Sequence, residues 1–293
     1  MTGAIGVAVV LAACGFDGAG GLASSVSGTE PGPSRPGDAV PESPASAPSA
    51  SPEAGPGPST PITACSDATL AFDGVDDFAT VPDDSGLDLS DDFTVEAWIK
   101  PGPKVATGAE MDIVSHHDAS ASRGWVLLVK AGRVELAVYG SESFSDKSYS
   151  AGDTGPAYVV AGKWAHVAGS LHGDTLRVYY DGVLRDTQDL AFLFGRDAYH
   201  GALRLGRSAH VEDFRFQGEL DDVRLSKTAR YTGATAPRPT ALLSLDDAAE
   251  ASWRFDEASG NKLDDAAKHN HDGSLAPDTT APTRVASTCI ADR

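Results

Sequence analysis

Basic residues are scarce in this sequence: 23 Lys and Arg stand against 42 Asp and Glu, a formal charge of -19. Those that exist are scattered and form no stripe, so nucleic acid and anionic membrane surfaces are poor partners for the field they leave. Such acidity fits a soluble extracellular protein or one that holds divalent cations; solubility alone is its commoner meaning. No apolar run approaches the roughly 20 residues needed to span a bilayer. Helical periodicity is missing apart from short turns near Thr228 to Tyr231 and Asp246 to Glu250. There is no Gly-x-Ser-x-Gly elbow, which removes support for a serine triad. Cysteine is rare, with Cys14, Cys65 and Cys289 the whole complement.

What is present begins with a short apolar run of small residues, Ala4 to Ala13, ending at Leu11-Ala12-Ala13-Cys14-Gly15. It reads as the hydrophobic part of a signal peptide. The tetrad Leu-Ala-Ala-Cys resembles the lipobox of bacterial lipoproteins, in which the cysteine thiol is acylated and becomes the mature N-terminus. That resemblance implies an exported protein held in the cell envelope by lipid at Cys14, on the outer surface or in the periplasm, touching the membrane only through that anchor. The departure is the lack of Lys or Arg between Met1 and Cys14, where export signals carry positive charge; a start upstream of Met1 accounts for it. The plain alternative is an ordinary signal peptide with Cys14 discarded.

From residue 15 to 63 the composition changes. Ten of the chain's 18 prolines fall here among Ser, Ala and Gly, and Phe16 is the sole aromatic. Such a stretch buries too little apolar surface to offset chain entropy and is expected to be a disordered tether. Proline extends it at about 3 Å per residue where it is polyproline-like, enough to lift a domain tens of ångströms from an anchor.

Residues 64–293 form the expected folded domain, in short alternating segments closed by turns. Phe93, Val95, Ala97 and Ile99 share one strand face, with Trp98 on the other. Trp125-Val126-Leu127-Leu128-Val129 and Val134-Glu135-Leu136-Ala137-Val138-Tyr139 flank a turn at Ala131-Gly132. Trp164 to Leu171, Leu176 to Tyr180 and Val183-Leu184 follow, joined at His172-Gly173-Asp174 and at Asp181-Gly182. Asp-Gly between alternating apolar arms is a strong hairpin signal, because the primed turn needs positive φ at both central residues. The pattern predicts an all-β sandwich or jelly roll of antiparallel sheets.

These residues resemble the laminin-G-like domains of the concanavalin A-like superfamily. The landmarks, in order, are Ala71 to Phe78, Phe93 to Pro101, Gly162-Lys163-Trp164-Ala165-His166-Val167-Ala168, Tyr180-Asp181-Gly182, and Phe216 to Arg224. A further piece, Ser252-Trp253-Arg254-Phe255-Asp256-Glu257-Ala258-Ser259-Gly260 with Asp272-Gly273-Ser274-Leu275, often precedes the first landmark in that family and here follows it. About forty residues cannot enclose a core alone. Segment 246–290 is therefore expected to supply strands to the same domain in permuted order, made easy by the closeness of domain termini. The resemblance implies a jelly-roll sandwich, often a calcium ion, and a monomeric module that binds glycan or extracellular protein without catalysis.

For calcium, the resemblance selects Asp73 and Asp221, with Asp76 and Asp77 in the same acidic turn as Asp73. Asx turns are the plainer account of Asp73, Asp76 and Asp77. Tyr149, Tyr199 and Phe214, in expected loop regions, are the candidate platforms for sugar, or else rim packing residues. With Cys14 acylated, Cys65 and Cys289 are an even pair in an exported protein and are expected to form a disulfide joining the domain's ends. Glycoside hydrolases of this fold carry Glu-x-Asp-x-Glu on one strand; here Glu219 and Asp221 supply the first half and Val223 stands where the second acid belongs. A hydrolase of the same fold is thus the alternative function, and a purely structural envelope module the second. His116-His117-Asp118 and His269-Asn270-His271 read as solvated turn residues, lacking a second ligand pair at a recognisable spacing.

Overall fold

The computed structural model describes residues 68–142, 145–152, 154–191, 194–196, 198–276 and 281–287. The leader, the tether and all three cysteines lie outside these residues. The first of two antiparallel sheets contains β1 (Ala68–Asp73), β3 (Phe93–Pro101), β8 (Ala165–His172), β9 (Thr175–Tyr180), β10 (Val183–Asp189), β13 (Gln217–Ser226), β14 (Ala249–Trp253) and β17 (Thr283–Ala286). Its order is β10-β9-β8-β3-β13-β1-β17, with β14 also on β13. The second contains β2 (Ala79–Val81), β4 (Met111–Asp118), β5 (Arg123–Lys130), β6 (Arg133–Glu142), β7 (Ser145–Ala151), β11 (Phe194–Gly195), β12 (Leu203–Leu205), β15 (Lys262–Leu263) and β16 (Gly273–Leu275). Here the order is β11-β6-β5-β4-β12-β2-β16-β15, with β7 on β6.

The two-residue period decides what lies between the sheets. Phe93, Val95, Ala97 and Ile99 of β3, with Val167, Leu171, Val178, Leu220, Val223 and Leu225, face Trp125, Leu127, Val129, Leu136, Val138, Leu203 and Leu205 in one buried cluster. Where β8 meets β6 the sheets come very close: a Cβ on Gly169 would lie 2.9 Å from the Leu136 side chain. Both hairpin turns use the backbone that the sequence implied, with positive φ at Ala131 and Gly132 and at Asp181 and Gly182.

Strand β13 organises the first sheet. One edge pairs with β3 from Gly218 to Ser226. The other is shared end to end, by β1 along Gln217 to Leu220 and by β14 along Val223 to Ser226. Between them the register against β3 slips at a bulge, since Asp221 faces Trp98 and Arg224 faces Glu96. Asp222 occupies the bulge with φ +43° and accepts a hydrogen bond from Leu243 N through its buried carboxylate. Burial pushes the Asp222 carboxyl up to about 6. The C-terminal chain enters both sheets, with β14 on β13, β17 on β1, and β16 on β2. Asp265 secures it by accepting from the amides of Ser252, Ala267 and His269 at 2.9 to 3.0 Å.

The outer face of the first sheet is covered by the chain from Thr228 to Ser244. Tyr179, Ala168 and Ala236 form a small apolar cluster against Tyr231, and the Arg238 guanidinium lies 4.6 Å from the Trp98 ring centre. Under this cover Glu96 is fully buried. Its Oε1 accepts from Arg224 Nε at 2.9 Å and Nη2 at 2.5 Å, and its Oε2 accepts from Tyr231 Oη at 2.7 Å and pairs with His166 Nε2 at 3.1 Å. Burial alone would raise this carboxyl. The hydrogen bonds and charges of His166 and Arg224, with the Tyr231 hydroxyl, override it and hold the group at about 2.

Because the folded value lies below the ordinary one, the stability Glu96 contributes is complete above about pH 4.5 and disappears as pH falls through about 2. Glu96→Ala is expected to cost on the order of 3–5 kcal/mol at neutral pH, since it strands a buried guanidinium. Urea denaturation from pH 7 to pH 2 checks this: the gap between wild type and variant should narrow across the lower half of that range.

Candidate functional site

The acidic turn follows directly from the end of β1. Asp73 Oδ1 accepts from Val75 N at 2.7 Å and from Asp76 N at 3.3 Å, while Asp77 Oδ2 accepts from Asp73 N at 2.7 Å. Gly74 turns the corner at φ +78°, and a Cβ there would lie 2.7 Å from Gln217 Cβ. One carboxylate oxygen from each of Asp73, Asp76 and Asp77 lies within 4.8 Å of the others. Burial raises the Asp77 carboxyl, and the charges of Asp73 and Asp76 raise it further. Crowded hard oxygens of this kind suit a divalent cation such as calcium better than a soft metal.

Asp221 stands apart from this group. The Cα partner of Asp73 is Gln217, and Asp221 lies four residues farther along β13, about 13 Å at the usual strand rise. It is fully buried, with Oδ1 accepting from Asp222 N at 2.7 Å. The structure therefore gathers three of the four carboxylates and separates the fourth.

The three candidate aromatics do not share a surface. Tyr149 lies in strand β7 opposite Val138, where the sequence suggested a loop, and it packs on the main core. Tyr199 lies edge-on to His116 with ring centres 5.0 Å apart. Phe214 is half-buried at φ +54°, and its carbonyl accepts from Asp112 N at 2.7 Å.

The histidines differ from the sequence expectation. His116 and His117 belong to β4 and are buried, because the strand continues to Asp118 through residues that locally resemble a turn. Burial lowers each imidazole to about 4. His117 stacks flat on Tyr139 at 4.8 Å, and its Nδ1 lies 2.9 Å from Ser115 Oγ. His271 is likewise buried, with Nε2 2.9 Å from Glu250 Oε1, whereas His269 is exposed. The half-motif of acids is occupied as well: Glu219 accepts from Lys100 Nζ at 2.7 Å and from Thr69 Oγ1 at 3.1 Å.

Beside the acidic turn, on the outer face of the second sheet, lies an open groove of about 570 Å³ where β12, β2 and β16 run together. Asp76 contributes to its wall, along with Phe78, Thr80, Ser274, Arg204 and Arg207. Leu203 and Leu205 point into the core, so the strand period turns Arg204 outward into the groove. No sequence motif announces this site; its only trace is the spacing of arginines around Gly206 and Phe216.

A laminin G family model, described as the concanavalin A-like lectin/glucanases superfamily, matches residues 73–232. No curated protein matches the chain. Among solved structures the chain is similar to a Bacteroides ovatus protein provisionally described as carbohydrate binding, at 16% identity and TM-score 0.53. That alignment covers 75% of this chain and 60% of the other, so the chain spans less than two thirds of that structure. Domains LG4-5 of the mouse laminin alpha1 chain align at 15% identity and TM-score 0.43 over 58% of this chain and 46% of theirs. The CBM40 module of the Ruminococcus gnavus IT-sialidase aligns at 14% identity and TM-score 0.41 over 56% of this chain and 94% of its own. At such identities the likeness is one of fold. The family match spans more than half of the sequence and sits on the sandwich just described: the chain belongs to the concanavalin A-like lectin/glucanases superfamily.

Proposed function

We propose that this chain is a non-catalytic binding module, displayed outside the cytoplasm, that recognises a glycan. The observation carrying this reading is the groove of about 570 Å³ on the second sheet. Its size suits one to a few sugar units, and its lining mixes hydroxyls, guanidinium groups and apolar surface. Neither Glu219 nor Asp221 lines it. Glu219 is engaged by Lys100, and Asp221 is buried in the first sheet. The acids that do line it are Asp76, which belongs to the acidic turn, and Glu212, which faces Arg207, so the half-motif supplies no carboxyl pair across a bond to be cut and binding is favoured over hydrolysis. An extracellular protein ligand and a structural envelope role remain the competing outcomes.

A glycan array probed with the full chain tests the reading. Retention of a defined set of sugars is the expected result, and retention of none would overturn it.

Calcium belongs to the proposal at the turn of Asp73, Asp76 and Asp77. The ion would supply charge neutralisation there, with these three side chains holding it. Ligands that bind only the native state raise its stability. Millimolar calcium is therefore expected to raise the melting temperature relative to chelator, and Asp73→Ala with Asp77→Ala to abolish the rise. Because Asp221 lies apart, Asp221→Ala should leave the calcium-dependent increment intact.

Display rests on export with lipid at Cys14, and on a Cys65–Cys289 disulfide closing the folded domain. In the same preparation, wild type should enter the detergent phase while Cys14→Ser stays aqueous. Non-reducing peptide mapping should recover Cys65 linked to Cys289. Free thiols at both positions would remove the disulfide.

A further inference from the structure

Of the 23 basic residues in a chain of net charge -19, three arginines converge on one groove. Arg204 comes from β12, Arg207 from just beyond it, and Arg215 from the approach to β13. Arg207 lies 4.0 Å and Arg204 5.4 Å from the centre of the Phe78 ring, so one aromatic holds two guanidinium groups in place. Burial lowers the basicity of Arg204; burial does the same for Arg207, and the neighbouring charges of Arg204 and Arg215 add to it. Like charges are thus held together at a cost that the fold itself does not remove.

Counter-charge inside the groove is thin. Glu212 is the nearest acid, but its carboxylate is 3.7 Å from Arg207 Nη2 and its side chain is 84% exposed. A strong charge-assisted bond is nearer 2.8 Å. Arg204 spends one N–H on Thr80 Oγ1, and Arg215 one on the Glu212 carbonyl at 3.2 Å. Two buried donors, Arg207 Nε and Arg215 Nη1, have no acceptor among the described residues. Among the lining residues three arginines stand against Asp76 and Glu212, with Asp73 and Asp77 behind Asp76 in the turn assigned to calcium. Buried guanidinium N–H groups without partners are costly unless something else supplies the acceptor.

Resting on the reading of this chain as a glycan-binding module, we propose that the groove takes an acidic sugar, with Arg207 and Arg215 receiving its carboxylate. A planar carboxylate accepts two parallel N–H bonds from a guanidinium fork, which a neutral hydroxyl does not. Thr80 and Ser274 stand beside the arginines to meet ring hydroxyls, and the half-buried Phe78 ring offers the apolar surface a sugar face needs.

Titration calorimetry on the full chain tests this with tetragalacturonate, with the neutral galactose tetramer, and with dextran sulfate. Tetragalacturonate should bind at least tenfold more tightly than the neutral tetramer and weaken as salt rises. Arg207→Gln with Arg215→Gln should lose at least tenfold for tetragalacturonate, while Lys163→Gln, at an exposed site away from the groove, should bind as wild type. Arg207→Lys keeps the charge without the fork and should lose affinity too, which separates geometry from charge if the double variant folds poorly; circular dichroism melting identifies that case. Equal binding of the charged and neutral tetramers would overturn the inference, as would an undiminished affinity in a natively folded double variant. Dextran sulfate binding as tightly per charge would replace the carboxylate by any anion and sink the stated specificity. Should the array retain neutral glycans while tetragalacturonate fails, the acidic-sugar inference falls and the binding module stands; if no glycan is retained in either experiment, both fall.

Discussion

Three residues from three other stretches of chain meet at the buried carboxylate of Glu96, and the first sheet depends on that meeting. Glu96 lies at the middle of β3, Arg224 on β13, His166 on β8 and Tyr231 on the covering segment. A carboxylate taken out of water is tolerable only when its lone pairs are all engaged and a cation stands beside it. Here each oxygen has two partners. The network therefore specifies which strands flank β3, and which segment closes over them, more than it adds to net stability. A hydrophobic set of similar volume would pack there too, without selecting β8 and β13 as neighbours.

The same network explains what the sequence landmarks are for. Glu96 sits in the Phe93 to Pro101 landmark, His166 in the Trp164 to Ala168 strand and Arg224 in the closing strand. Residues that carry the family likeness are thus spent on folding, so the likeness indicates a sandwich and leaves the ligand open. Asp221 shows the consequence most clearly. Read along the chain it is an acid in a family strand, available to a cation; in space it opposes Trp98 beside the bulge at Asp222, on the face that the covering segment occupies.

What was legible in the sequence was whatever rests on local backbone rules. The two-residue period of β3, β5, β6 and β9 and the Ala131-Gly132 and Asp181-Gly182 turns require only neighbours within a few residues, and these read correctly. His116 and His117 read as a solvated turn because two imidazoles before an aspartate look polar in any short window. Their burial comes from Trp125, Tyr139 and Tyr199, none of which lies in that window. The strand that carries Tyr149 was hidden for the complementary reason, since β7, Ser-Asp-Lys-Ser-Tyr-Ser-Ala, shows no apolar alternation. The arginine groove was invisible for a third: Phe78 and Arg204 are more than a hundred positions apart, and only the pairing of β2 with β12 brings them together.

The division of labour between the two sheets follows from these contacts. On the first sheet the outer face is occupied by the segment from Thr228 to Ser244, anchored by Thr94 Oγ1 to the Thr228 carbonyl at 2.9 Å and by Tyr179 Oη to the Gly233 carbonyl at 2.8 Å. A ligand reaching that face would first have to displace the cover and expose Glu96. On the second sheet, β12, β2 and β16 are short, and they leave an open trough in place of a packed surface. Short strands with outward Arg204, Thr80 and Ser274 cost little to maintain, because their inward partners Leu203, Leu205, Ala79 and Val81 already secure them to the core. The first sheet thus spends its outer face on the covering segment, while the short strands β12, β2 and β16 of the second leave theirs open beside Arg204, Arg207 and Arg215.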